Sequence, residues 1–113
     1  PHLGRPQVER AGGAMPLDEM TRRNLELVES LRAGSSAADD RAGTLLGVLD
    51  RTATPMGARL LRQWLLAPLV EKPAIDARLD AVAAIAADAL ARDALREALD
   101  GVRDVERLAA KAA

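Results

Sequence analysis

His2 is the one histidine of this sequence and cysteine is absent, so the usual nucleophiles, proton shuttles and soft metal ligands have almost no representatives. A thiolate nucleophile, a disulfide and a thiolate metal site are excluded outright, and one histidine cannot build a histidine-clustered metal site. His2 falls in a terminus without pattern, which leaves the serines without a base and removes a Ser/His/acid triad from consideration. Carboxylates are plentiful, yet they alternate with arginines on helical surfaces and share no apolar setting that would raise a pKa. No G-x-x-x-x-G-K-[ST] phosphate loop and no G-x-G-x-x-G fingerprint occurs. What remains to do chemistry is a set of arginines and the lone aromatic residue, Trp64. Those groups bind and position; they do not turn over a substrate by themselves.

The elements that must hold them are helices. Nearly half of the 113 residues are apolar, carried mainly by Ala, Leu and Val, a mixture that enters helices at low cost and lacks the aromatics that enrich strands. The length fits one domain with a modest core. A formal net charge of −1, with acids and bases interleaved, is a solvated surface and not the basic footprint of an autonomous nucleic-acid binder. No apolar run approaches the roughly 20 residues that span a bilayer, no secretory signal is visible, and a cytoplasmic setting is expected. The start at Pro1 and the stop at Ala113, inside an Ala-rich helical pattern, lead to the expectation of a piece of a longer protein.

Residues Pro1 to Ala14 read as an extended lead-in, with prolines, glycines and no period. Asp18 caps a short helix to about Asn24, with Glu19 in its electropositive first turn. Leu25 to Val28 can be read as extended or helical. Gly34 to Gly43 is a polar loop in which Asp39, Asp40 and Arg41 are solvated. Thr44 caps a short helix through Arg51, aiming Leu45, Leu46 and Leu49 at a core. Thr54-Pro55 is the sharpest helix start, because threonine accepts a bond from an unpaired amide and proline has no amide to leave unpaired. That helix runs to about Leu66, and Pro68 stops it.

On this helix Gly57, Leu60, Leu61, Trp64 and Leu65 share one face, and Arg59, Arg62 and Gln63 the other. Glycine inside a helix costs about 1 kcal/mol against alanine, so Gly57 predicts a second helix crossing close by, with Trp64 as the large anchor of that packing. The next helix spans Pro73 to Ala87, with Ile75, Leu79, Val82, Ile85 and Ala86 as its buried stripe. Arg78 projects into the stripe and is expected in an internal ion pair, or else in a contact with another domain, since an unpaired buried charge is very costly. Asp88 caps a further helix, Gly101 suits the left-handed residue beyond its end, and a last helix starts around Val102 to Asp104. Short connections predict an irregular all-α multi-helix bundle of about five to six helices. The segment Thr44 to Leu66 also resembles a helix-turn-helix, but the N-terminus of its second helix offers Met56, Gly57 and Ala58 where a reading face should be polar.

Several of these stretches resemble one family in order and spacing. Leu17-Asp18-Glu19-Met20-Thr21-Arg22-Arg23-Asn24-Leu25-Glu26-Leu27 is similar to the segment that opens the core domain of MutS mismatch repair proteins. Gly43-Thr44-Leu45-Leu46, Leu49-Asp50-Arg51-Thr52, Thr54-Pro55-Met56-Gly57-Ala58-Arg59-Leu60-Leu61-Arg62-Gln63-Trp64-Leu65, Pro68-Leu69, Ile75 to Val82 and Val102 to Leu108 continue the match. It covers about Met15 to Ala113. The Thr21 to Glu26 and Thr54 to Gly57 motifs favour the mismatch-repair branch. Glu71-Lys72-Pro73 departs from the family, which more often has an aspartate cap there.

The resemblance implies a lead-in over residues 1–14 from a preceding connector domain, and the N-terminal part of the helical core domain over residues 15–113. In the family this domain joins the connector to two long levers, which carry the DNA clamp and reach the ATPase. The resemblance thus implies a structural, signal-transmitting domain that is inert in isolation and no enzyme. ATP and magnesium belong to another domain of the parent, mismatched duplex DNA is met through other domains, and the parent is a bacterial, nucleoid-associated homodimer. Thr21, Arg22, Arg23, Asn24, Thr54, Met56, Gly57, Arg59, Trp64 and Arg78 match the family motifs. Gly57, Leu60, Leu61, Trp64 and Arg78 are the expected structural hub, with Arg22, Arg23 and Arg59 as candidates for interdomain contacts. A stand-alone helical protein-interaction module and a helix-turn-helix DNA binder are the alternatives.

Overall fold

A computed structural model of the chain describes residues 13–31 and 43–112. Among them it contains six helices and no strand: α1 (Glu19–Asn24), α2 (Leu45–Leu49), α3 (Pro55–Leu66), α4 (Lys72–Ala87), α5 (Ala89–Leu99) and α6 (Val105–Ala112). The expected lead-in up to Gly12, His2 within it, and the loop carrying Asp39, Asp40 and Arg41 lie outside the described residues.

Side-chain capping explains where most of these helices begin. The first amides of a helix have no intrahelical acceptor, and five starts supply one. Asp18 accepts from the Thr21 amide at 2.7 Å, Thr44 from Gly47 at 3.0 Å, Thr54 from Gly57 at 3.0 Å, Asp88 from Ala91 at 2.9 Å and Asp104 from Arg107 at 3.2 Å. The bonds from the Thr21 amide and hydroxyl also hold the Asp18 carboxyl below the usual carboxylate range. α4 is the exception: Glu71 stands at its cap without a side-chain bond. At the far end of α5, Gly101 takes φ +76°, the left-handed conformation in which a side chain would be strained.

The buried residues form a small knot around the start of α2. Thr44 and Leu46 are fully buried and Leu27 nearly so. The segment after α1 is a turn and bend, and it reaches α2 through its backbone: the Leu45 amide donates to the Glu26 carbonyl at 3.0 Å and the Leu46 amide to that of Leu27 at 2.9 Å. Two otherwise orphaned helix amides are satisfied in this way. Glu26 itself has φ +47°, a conformation that costs a non-glycine residue about 1–3 kcal/mol. Its carboxylate accepts the Leu31 amide at 2.7 Å and the Ser30 hydroxyl at 3.2 Å, which helps hold it there. A single antiparallel bridge, Ala14 with Leu69, ties the approach to α1 onto the stretch after α3, with Met15 donating to Pro68 and Val70 to Gly13.

The apolar stripes stand apart from this knot. α2 packs on α3 and α4 on α5, but the expected buried stripe of α4 is open: Leu79, Val82 (65% exposed) and Ile85 face solvent, as do Leu90 on α5 and Val105 and Leu108 on α6. Leu45 and Leu49, expected in the core beside Leu46, are exposed too. The periodicity was that of helices with a face to bury, and no described element covers those faces.

Candidate functional site

Arg59 is the residue through which distant parts of the chain meet. Its Nη1 lies 2.6 Å from Asp104 Oδ2, and its Nη2 donates to Asp104 Oδ1 at 2.9 Å and to Glu106 Oε2 at 2.5 Å. Two parallel bonds to one carboxylate are the strong form of an ion pair, matching the planar guanidinium to the carboxylate fork. Asp104 is well covered, at 16% side-chain exposure, whereas Glu106 is open to solvent. The Arg59 guanidinium, with some help from the Arg107 amide, holds the Asp104 carboxyl down to about 2. Asp104 and Glu106 in turn raise the Arg59 pKa further above its already high value. Because Asp104 also caps α6, one carboxylate fixes the start of that helix and clamps it to the middle of α3.

A second arginine contact joins α3 to α4. The Arg78 guanidinium carbon sits 3.7 Å from the centroid of the Trp64 ring, over the negative face of the aromatic system. This corrects the expected internal ion pair of Arg78: among the described residues it pairs with no carboxylate and stacks on the indole. Trp64 remains 41% exposed, so the group covering it is a guanidinium and not a crossing helix.

Gly57 likewise has no helix above it. A Cβ placed there would meet Thr54 Oγ1 at 3.1 Å and Thr52 Cβ at 3.5 Å, atoms of the turn that precedes its own helix. The expected helix crossing is therefore absent among the described residues. Of the remaining hub candidates, Leu61 is half-buried and Leu60 is exposed. The structure brings Trp64 and Arg78 together and leaves the others spread along α3.

Arg22 and Arg23 line a different place, an open cleft of about 410 Å³ between α1 and the C-terminal half of α3, together with Arg62, Glu19 and Glu29. None of the three arginines has an ion pair among the described residues, so their charges face solvent. Asp104 and Glu106 were missed as partners of Arg59. The available signal was Asp104 at a helix start, but the fold alone reveals which cation it faces across 45 residues.

No group of three or more acidic or histidine side chains that could hold a metal ion occurs among the described residues. Five of the six described helix starts offer no phosphate cradle, because the capping side chains of Asp18, Thr44, Thr54, Asp88 and Asp104 already occupy amides that would receive one. No described helix is long and apolar enough to cross a membrane. The arrangement can clamp, stack and pair with anions.

Residues 20–113 match the family described as MutS domain III. The chain is similar to the DNA mismatch repair protein MutS of Solibacter usitatus, 46% identical over 110 residues, which is 97% of this chain and 13% of the relative. To the MutS of Leuconostoc citreum it is 50% identical over 99 residues, 88% of this chain and 11% of the relative. To that of Staphylococcus carnosus it is 47% identical over 107 residues, 95% and 12% respectively. The chain thus spans about an eighth or less of the length of these relatives, and no solved structure gives a match. Matched over residues 20–113 and close to half identical to these relatives over most of its length, the chain belongs to the MutS domain III family.

Proposed function

We propose that this domain is a structural and signal-transmitting element of a mismatch repair ATPase, linking the mismatch-binding and connector region to the levers, clamp and nucleotide site, and inert by itself. The observation that carries this is the Arg59 clamp. A bidentate ion pair that fixes the start of α6 to the middle of α3 makes rotation of one helix felt by the other. Such coupled packed elements are how a nucleotide state at one site biases a distant grip. On this reading ATP and magnesium belong to another part of the polypeptide. Mismatched duplex DNA is likewise met elsewhere, and the working protein is a cytoplasmic homodimer.

Trp64 and Arg78 serve as the hub that joins α3 to α4, with Gly57, Leu60 and Leu61 along α3, while Arg22 and Arg23 in the open cleft offer contacts to a neighbouring domain. A helix-turn-helix reading of α2 and α3 loses support because Arg59, one of its few polar side chains, is engaged by Asp104 and Glu106. The decisive experiment is Arg59→Ala in the full-length protein. Mismatch binding is retained and ATP-dependent sliding on mismatched DNA is slowed several-fold; sliding at the unsubstituted rate overturns the proposal.

A further inference from the structure

A groove of about 360 Å³ runs between the turn before α3, the end of α4 and one side of α5. Its floor is apolar: Gly57, Ile85, Leu95 (47% exposed) and Leu99. Its rim is basic: Arg51, Arg92 and Arg96, with no acidic residue in the lining. The rim is held in place by carbonyl groups. Arg96 Nη1 donates to the Arg51 carbonyl at 3.1 Å, and Arg51 Nη1 to that of Asp50 at 2.9 Å. Neither Arg51 nor Arg96 has a carboxylate partner among the described residues, and Arg92, which donates to the Ala86 carbonyl at 3.5 Å, has only a long carboxylate contact, 3.8 Å, to exposed Asp93.

We infer that this groove receives an amphipathic helical segment from elsewhere in the same polypeptide, one that presents an apolar side chain to the floor and carboxylates to the arginine rim. The inference rests on the reading of the chain as one domain of a larger MutS protein. Charge complementarity selects an acidic occupant, and the apolar floor selects a side chain over a phosphate backbone. Among the described residues no sheet edge borders the groove, so an added strand would find no ladder to join, whereas a helix needs only anchors spaced by three or four residues. Gly57 contributes bare backbone to the lining, its Cα facing Thr54 and Thr52 of the preceding turn.

The test uses the full-length polypeptide with Ala53→p-benzoylphenylalanine at the groove and the same substitution at exposed Ala83 on α4 as control. Photolysis followed by mass-spectrometric mapping identifies what lies over each. The expected product is an intramolecular crosslink from position 53 to a peptide whose apolar residue has carboxylates within one helical turn. Its yield falls at least tenfold when Arg92→Glu and Arg96→Glu are combined, and persists with the lysine replacements. Far-UV circular dichroism confirms that each variant keeps its helices. Crosslinks between copies, crosslinks to DNA, a product without carboxylates, or a yield no higher than at position 83 overturn the inference. Sliding assays on the unsubstituted protein separate the two ideas: a specific crosslink in a protein that does not slide keeps the groove and removes the transmitting role.

Discussion

Asp104 does two jobs that a single carboxylate seldom combines, capping a helix and receiving both arms of Arg59. Its carboxyl is held down to about 2 in the fold against an ordinary value of 3.8. A depressed folded-state pKa contributes stability that is fully present above the unfolded value and is lost as pH falls through the folded one. The clamp therefore holds at neutral pH and weakens between about pH 4 and pH 2. Asp104→Asn is expected to lower the melting temperature at pH 7 and to flatten the dependence of stability on pH in that window. Thermal unfolding by circular dichroism at pH 7, 4 and 2 checks this, and parallel curves for the variant and the parent sequence would contradict it. Arg78 makes a different use of its charge. Stacking on an exposed ring contributes about 0.5–1 kcal/mol, so Arg78→Ala should cost about that much in urea unfolding and shift the emission of Trp64, the only tryptophan.

The helices themselves are set by local chemistry, and their starts show it most clearly. Thr54, with proline next in sequence, defines the first residue of α3 through a bond to the Gly57 amide. Loss of such a cap typically costs about 1 kcal/mol, and Thr54→Ala is expected to destabilise the chain by that amount, whereas Thr54→Ser should recover most of it. Denaturant titration of both variants decides the matter; equal losses would mean that the methyl group, not the hydroxyl, is what counts. These starts were legible because a cap acts within three residues of itself. The ion pair of Arg59 with Asp104 and the seat of Arg78 on Trp64 were not, since neither depends on anything close in sequence.

As a molecule, the chain keeps its packed residues near α2 and turns the faces of α4, α5 and α6 outward. An apolar stripe at helical spacing is a demand for a partner, and the described residues do not meet it. Exposed positions tolerate polar substitution within about 0.5 kcal/mol, so Val82→Glu should leave the stability of this chain nearly unchanged. In the full-length protein the same substitution would bury a charge without a partner and lower stability by several kcal/mol. Comparing the variant in the two backgrounds by urea unfolding tests this directly, and equal effects would show that the α4 face stays open in both.

The sequence alone determined the all-α class with about five to six helices, nearly every helix start and the family, because caps, prolines and the 3.6-residue period are properties of neighbouring residues. It also marked Gly57, Trp64, Arg59 and Arg78 as unusual without saying what each one meets. The tertiary structure decided those partners: a carboxylate 45 residues away for Arg59, an indole face instead of an acid for Arg78, and the threonines of the preceding turn instead of a crossing helix for Gly57. Pattern dictates that a face is to be buried or a charge answered, but which group answers is fixed only when the chain brings remote segments together.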